Sequence, residues 1–313
     1  MEFCVGRNYD IWNSDVRKLF RVNGIKSVFA GFSCIMREDL SRENILELRE
    51  LLEKDGLHAA TSHPPYGSYN QAYSLIRQSA SDLEREILWM KEYIIRCGLL
   101  GMKAIPLHTS GAMLPQSEEW VIKCAQRYIR QLLPIAEKAG VILAIENTNH
   151  AKPQKFYPGM VTEGQLDRNR WDFDDTEKIL DFVHEFQSPF VRICYDVGHS
   201  HLLGRMWTDL EAFWSDIVMF HLHDNAGVGD DAHLQPGYGN LNWNALFEKI
   251  KESKENAVLY VEASPRFKDL GLMMEELRAL AEGRVSVKEG GFLKKDEDTG
   301  KIVILPGREV VSC

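Results

Sequence analysis

Short apolar runs alternate with longer segments in which apolar residues recur every three or four positions, and the alternation continues along most of the chain. The short runs, rich in Val, Ile, Leu and Ala, predict strands at Glu2 to Val5, Ser27 to Ala30, His58 to Ser62, Lys103 to Leu107, Val141 to Ile145, Val191 to Tyr195, Val218 to Leu222 and Val258 to Val261. The longer spacing predicts helices at Arg42 to Lys54, Ser81 to Cys97, Ser117 to Ala139, Thr176 to Glu185, Trp207 to Trp214, Trp243 to Lys251 and Asp269 to Ala281. Most of these are long enough to cross back over a sheet, so the strands should run parallel.

Eight strands in about 280 residues specify an α/β fold closed into a (β/α)8 barrel. A doubly wound open sheet fits less well: no GxGxxG follows the first strand, and no Walker-type phosphate loop occurs. Gly24, Gly56, Gly98 with Gly101, and Gly140 fall between helical patterns and strands, as C-terminal caps should. Ser81 with Glu84, and Asp174 with Glu177, resemble capping boxes at helix starts. Two stretches break the repeat. Asn147 to Phe173 is too long for an ordinary connection and is expected to cap the barrel mouth. After the barrel domain, residues 1–283, a C-terminal extension of residues 284–313 reads as two short β-like runs around Asp-Glu-Asp-Thr-Gly, a hairpin or tail.

Composition narrows the function. The chain has 313 residues, 44% hydrophobic and 27% charged, which suits a well-buried core and excludes a disordered or fibrous class. The net charge of −9 is spread without any Lys/Arg cluster, which argues against general nucleic-acid or membrane-surface binding while leaving a specific nucleic-acid site open. No apolar run approaches the roughly 20 residues that span a bilayer, and MEFCVGRNYD lacks the pattern of a signal peptide, so a soluble, cytoplasmic protein is expected. Cys4, Cys34, Cys97, Cys124, Cys194 and Cys313 form no CxxC pair, as suits reduced, structural thiols.

Candidate chemistry collects at the predicted strand ends. His63, His108, Glu146, Asp196 with His199, His221, and Glu262 stand at or just after the C-terminal ends of strands, and Asp231 and His233 follow in the next loop. In a (β/α)8 barrel those ends share one face, so residues far apart in sequence can be neighbours there. Five imidazoles and four carboxylates on one face suit Zn²⁺, Mn²⁺, Fe²⁺ or Co²⁺, and without a cation the carboxylates would repel and take up protons. His58, His150, His184 and His201 break the pattern and read as ordinary hydrogen-bonded residues. His223 shares a strand side with His221 one rung further out, so it reads as facing either the ligands or the substrate.

The strings HPPY (63–66), LHTSG (107–111), AIENT (144–148), CYDVGHSH (194–201), HLHDNAGVGDDAHLQPGYGNLNW (221–243) and LYVEAS (259–264) carry a resemblance. In order and spacing they resemble the xylose-isomerase-like TIM-barrel superfamily, over residues 1–283. That superfamily holds sugar and sugar-phosphate isomerases and epimerases together with the endonuclease IV class of DNA-repair enzymes. For the isomerases and epimerases the resemblance implies one divalent ion (Mn²⁺, Mg²⁺, Co²⁺ or Zn²⁺) held by Glu146, Asp196, His221 and Glu262. Glu146 and Glu262 would also be the acid/base pair, and His199 would contact substrate hydroxyls. For the endonuclease IV class it implies up to three zinc ions, on His63, His108 and Glu146; on Glu146, Asp196, His221 and Glu262; and on His199, Asp231 and His233.

Substrate class is weighed on the mouth. Lys152, Lys155, Arg168 and Arg170 in the long loop face Glu163, Asp167 and Asp172, a balance thin for a DNA duplex but adequate for one phosphate or carboxylate. Phe156, Tyr157 and Trp171, with Tyr66 and Tyr69, could stack on a sugar ring or simply pack on one another. The expectation is therefore a metal-dependent isomerase or epimerase of a sugar, sugar phosphate or related polyol. It would act by proton transfer through a metal-stabilised enediolate, with Tyr66, Trp171 and His199 at the substrate. The alternative is an endonuclease IV-like trinuclear zinc phosphodiesterase acting at abasic DNA sites. The expected partner is a small-molecule carbohydrate, with no membrane; the sequence leaves a homo-oligomer open.

Overall fold

The computed structural model describes residues 1–7, 9–65, 80–108, 118–148, 175–228, 231–254, 256–263, 270–287, 292–295, 302–305 and 308–310. Strands form at β1 (Phe3–Cys4), β2 (Ser27–Phe29), β3 (His58–Thr61), β4 (Ala104–Leu107), β5 (Ile142–Glu146), β6 (Val191–Asp196), β7 (Ile217–Leu222) and β8 (Val258–Val261). Each lies within two residues of the sequence expectation at either end.

The strands make a (β/α)8 barrel. Six run in the order β4-β5-β6-β7-β8-β1 as one curled parallel sheet, and β2 pairs with β3 in parallel. Phe29 N–H donates to Val5 O at 2.8 Å, which joins β2 to the end of β1. At the remaining seam the Thr61 hydroxyl donates to Ala104 O at 2.9 Å, tying β3 to β4. Helices Arg42–Lys54, Ala80–Leu99, Glu118–Ala139, Thr176–His184, Met206–Phe213, Trp243–Ser253 and Leu270–Ala281 occupy the expected places.

Several local expectations are corrected. Ser81 lies inside the helix Ala80–Leu99 and cannot be its cap. The helix Thr176–His184 is capped by Asp175, whose carboxylate accepts from Lys178 N–H at 3.1 Å, and not by the expected Asp174, which lies outside the described residues. Gly101 takes φ +82°, but Gly98 sits within its helix, where a Cβ would come 2.6 Å from Ala139 O; that glycine serves a close helix contact. Helices at Ser14–Val22, Phe32–Ile35 and Val197–Leu202 were not expected. The first buries only Arg17 and Phe20, too thin an apolar stripe to read, and the last, VGHSHL, contains residues of low helix propensity.

Side-chain parity along the strands separates two cores. One parity packs outward against the helices, with Phe3, Val28, Ile105, Leu143, Ile193, Phe220 and Leu259 all buried there. The other fills the barrel with a layer made of Cys4, Phe29, Ala104, Ala144, Cys194, Met219 and Tyr260, one from each of seven strands.

Beyond the last barrel helix, β9 (Val285–Val287), β10 (Phe292–Lys295), β11 (Ile302–Leu305) and β12 (Arg308–Val310) form two antiparallel pairs, β10 with β11 and β9 with β12. Asn244 Nδ2 donates to Leu280 O and Val285 O, fastening the start of this segment to the barrel. Among the described residues no helix is long and apolar enough to cross a membrane. Residues 149–174, with His150, Phe156, Tyr157 and Trp171, lie outside the described residues, as do Tyr66 and Tyr69.

Candidate metal centre

The inward parity that builds the barrel layer also builds the site. Two positions beyond Ala144, Cys194, Met219 and Tyr260 on the same strand faces stand Glu146, Asp196, His221 and Glu262. Two beyond Thr61, whose hydroxyl lies against Met219 inside the barrel, stands His63, and four beyond Ala104 stands His108. The chain places these groups at the open rim because the last inward positions of β5, β6, β7 and β8 follow in steps of two, beyond the register shift between Ile193 and Cys194.

Four ligand atoms of Glu146, Asp196, His221 and Glu262 lie within 4.8 Å of one another. His221 Nδ1 is 2.8 Å from Glu262 Oε2, 3.2 Å from Glu146 Oε1 and 3.7 Å from Asp196 Oδ2. Glu146 reaches a second group: its Oε2 is 3.0 Å from His108 Nε2 and 3.9 Å from His63 Nε2. His63 Nδ1 lies 2.7 Å from Pro64 O and must donate to it, which leaves Nε2 as a lone pair facing the glutamate. A third group lies beside Asp196. Asp231 Oδ2 is 3.0 Å from His199 Nε2 and 3.2 Å from His233 Nε2, and His223 joins the same cluster. All nine residues expected from the sequence as metal ligands therefore meet at one rim, in three groups that share or adjoin their members.

The electrostatics of the first group ask for a cation. Burial opposes charge on Glu146 and Asp196, yet nearby imidazoles override it and hold both carboxyls well below the usual range. Burial likewise opposes ionisation of Glu262, and His221 outweighs it, bringing the pKa down to about 2. For His221 burial is outweighed by the carboxylates Glu146, Glu262 and Asp196, which hold its pKa well above the ordinary value. Even so, both ring nitrogens of this fully buried histidine and Glu146 Oε2 lack an aligned hydrogen bond. Close donor-type atoms converging without hydrogen-bond geometry fit a divalent ion, for which neutral imidazole and carboxylates are the usual ligands. Cys194, just beneath, is pushed up to about 12 by burial and so stays a neutral thiol, which disfavours it as a ligand.

Other residues hold the ligands in place. Asn147 Nδ2 donates to Asp196 O at 2.9 Å, and its Oδ1 accepts from Asp196 N–H at 2.7 Å, fixing the end of β6 against β5. Arg7, half exposed at the end of β1, places Nη1 3.1 Å from Glu262 Oε1. Asp224 is fully buried and accepts from Trp243 Nε1 at 2.7 Å, Asn225 N at 2.9 Å, Gly237 N at 3.0 Å and Leu241 N at 3.3 Å. It thereby gathers the loop that carries Asp231 and His233. Sequence reasoning missed Asn147, Arg7 and Asp224; their adjacency to Glu146, to the end of β1 and to His223 was the only signal. His58, His184 and His201 lie with Glu2, Asp216 and Asn240 respectively, away from the three groups.

The fold recurs in known structures of low identity. A D-tagatose 3-epimerase-like protein superposes with a TM-score of 0.69 at 21% identity, over 90% of this chain and 97% of that one. The IOLI protein, solved with a binding zinc atom, gives a TM-score of 0.65 at 17% identity, over 90% and 99%. Among curated sequences, the uncharacterized protein MJ1311 of Methanocaldococcus jannaschii is 34% identical over 89 residues, 28% of this chain; the match spans only 30% of that relative's length. Residues 24–282 match the sequence model of the xylose isomerase-like TIM barrel, and the chain belongs to that family.

Proposed function

We propose that this protein is a divalent-metal-dependent isomerase or epimerase of a sugar, sugar phosphate or related polyol. The observation that carries the reading is the convergence of Glu146, Asp196, His221 and Glu262, from four adjacent strand ends, within 4.8 Å. The fold shared with a D-tagatose 3-epimerase-like protein and with a zinc-bound protein supports it. In this reading Glu146, Asp196, His221 and Glu262 hold one ion. When bound, the ion supplies Lewis-acid polarisation of neighbouring carbonyl and hydroxyl oxygens, which acidifies the adjacent C–H.

The chain's own residues do the proton work. Glu262 and Glu146, 2.8 Å and 3.2 Å from His221 Nδ1, are the acid/base pair, one carboxylate removing a proton from the substrate carbon and the other returning one through an enediolate. His221, shared between them, keeps both ionised. Arg7 holds Glu262 Oε1, which steers the second oxygen inward. His199 contacts substrate hydroxyls, and Tyr66 and Trp171 are assigned to the sugar ring. The barrel domain is assigned to residues 1–283 and the extension to 284–313.

Solvent-deuterium exchange tests the reading. With metal saturated, the protein should incorporate deuterium into at least one of a panel of ketoses, their phosphates and their 3-keto relatives; no exchange in any member removes it. The second reading, an endonuclease IV-like phosphodiesterase with three zinc ions, is favoured by one observation, the approach of His63 and His108 to Glu146. Nicking of an abasic-site duplex would establish it, and intact duplex with zinc saturated would eliminate it.

A further inference from the structure

Asp209 is a buried carboxylate outside the metal centre. It lies on the helix Met206–Phe213, is 3% exposed, and belongs to none of the donor groups at the rim. Burying such a group is costly unless its oxygens are met by donors. Thr176 Oγ1 donates to Oδ1 at 2.6 Å, Ser200 Oγ donates to Oδ2 at 2.9 Å, and Arg205 Nε stands 3.6 Å from Oδ2. Thr176 opens the helix Thr176–His184, and Ser200 lies in the helix Val197–Leu202, which Asp196 caps.

The direction of each bond follows from what each group can give. A hydroxyl carries one proton, so Ser200, having spent its own on Asp209, can only accept elsewhere. It accepts from Asn147 Nδ2 at 3.1 Å. Asn147 Nδ2 also donates to Asp196 O at 2.9 Å, and its Oδ1 accepts from Asp196 N–H at 2.7 Å. The carbonyl oxygen of Asn147 lies 2.8 Å from His199 Nδ1. Asn147 and Ser200 are 2% and 0% exposed, so neither exchanges its partner for bulk water. A chain of fixed direction therefore runs from the backbone of Asp196 through Asn147 and Ser200 to an anion outside the donor sets. Without Asp209 the Ser200 hydroxyl loses the acceptor that holds its rotor, and the Asn147 amide loses a partner of fixed orientation.

We propose that Asp209 is a positioning residue of the metal centre, holding Asn147 through Ser200 and the ligand Asp196 through Asn147. The proposal rests on the reading of Glu146, Asp196, His221 and Glu262 as metal ligands. Asp209 supplies no ligand atom; it fixes from behind the strand end that presents Asp196, as outer partners fix ligands in metal sites generally. It also ties that strand end to the first residue of the helix Thr176–His184, so three helices and the ends of β5 and β6 share one buried polar chain.

The test reads metal binding without substrate. Chelator-stripped protein is titrated with Co²⁺ and followed by visible absorption; the transition that belongs to this centre is the one lost in His221→Ala. Asp209→Ala and Ser200→Ala should each weaken that transition by about 10- to 100-fold, the usual cost of losing an outer partner, and shift its absorption bands. Far-UV circular dichroism should match wild type. If Asp209→Ala does not fold, Asp209→Leu, which refills the volume without an acceptor, takes its place. Asp209→Asn keeps an oxygen for Ser200 and should recover wild-type affinity. Thr176→Val removes the donor to the other oxygen; it should lower the thermal midpoint and leave Co²⁺ binding unchanged, which separates stability from positioning. Because Asp209 acts through Ser200, the double variant of Asp209→Ala with Ser200→Ala should bind no more weakly than Ser200→Ala alone. Losses that multiply in the double variant, or an Asp209→Ala that binds as wild type does, would overturn the proposal while the metal reading stands. A wild type with no Co²⁺ transition would remove the metal reading and the role of Asp209 together.

Discussion

Glu262 combines three contacts that its assigned role requires. One oxygen faces His221 Nδ1, the other meets Arg7, and its backbone carbonyl receives His233. Replacing it with Gln keeps the shape but removes a ligand charge and a proton acceptor together. Glu262→Gln should lower kcat by at least about 100-fold, the lower end of what a positioned acid or base contributes. It should also lower the urea midpoint of the metal-free protein, because the His221 attraction that brings the carboxyl down to about 2 exceeds the repulsion from Glu146; turnover is therefore compared in denaturant-free buffer with circular dichroism showing the variant folded. A variant that keeps full turnover would refute the assigned role. At this scale the sequence was most informative: a charged or imidazole side chain two positions past an inward-facing small residue, as in Ala144 then Glu146, is costly in a core and so marks a site. It was least informative for Asn147 and Arg7, whose roles are hydrogen bonds and a single ion pair made across strands, with no trace in local pattern.

Strands and helices were legible because their burial demands are periodic. Alternation placed β8 at Val258–Val261 and the helix Arg42–Lys54 without error. The short helix Val197–Leu202 was hidden because it is set by one bond, Asp196 Oδ1 accepting from His199 N–H at 2.7 Å, rather than by a stripe of apolar residues. The loop after β7 is likewise organised by a point, the carboxylate of Asp224. Its four donors come from residues up to Trp243, and burial raises its pKa against the pull of those bonds. Asp224→Asn would turn an amide toward the same donors and leave some of them unmatched, at about 1–3 kcal/mol each for buried groups. Denaturant unfolding should register a loss of about 2–4 kcal/mol with an unchanged m-value. Loss of less than about 0.5 kcal/mol would mean that the loop is held by its other contacts.

The whole barrel can be read as a device for crowding charge at one rim, and the metal-free molecule must answer that crowding with protons. Burial opposes a proton on His199, but Asp196 and Asp231 outweigh it and raise the pKa to about 10. For His233 burial is likewise outweighed by Asp231, and its pKa rises to about 9. Both folded values exceed the ordinary 6.5 of an unfolded histidine, so their protons add stability that is complete below about pH 6.5 and is lost as pH rises through about 9 and 10. Bound divalent ions would replace those protons, and their affinity should rise with pH over the same window because they no longer compete for the imidazoles. Chelation should therefore cost little at pH 6 and progressively more toward pH 9.5. The gap in Tm between zinc-loaded and chelator-treated protein, measured by differential scanning fluorimetry in matched salt, should widen across that range. A gap that stays constant or closes would mean that His199 and His233 are neutral in the metal-free fold, and that some other group balances the carboxylates gathered at the rim.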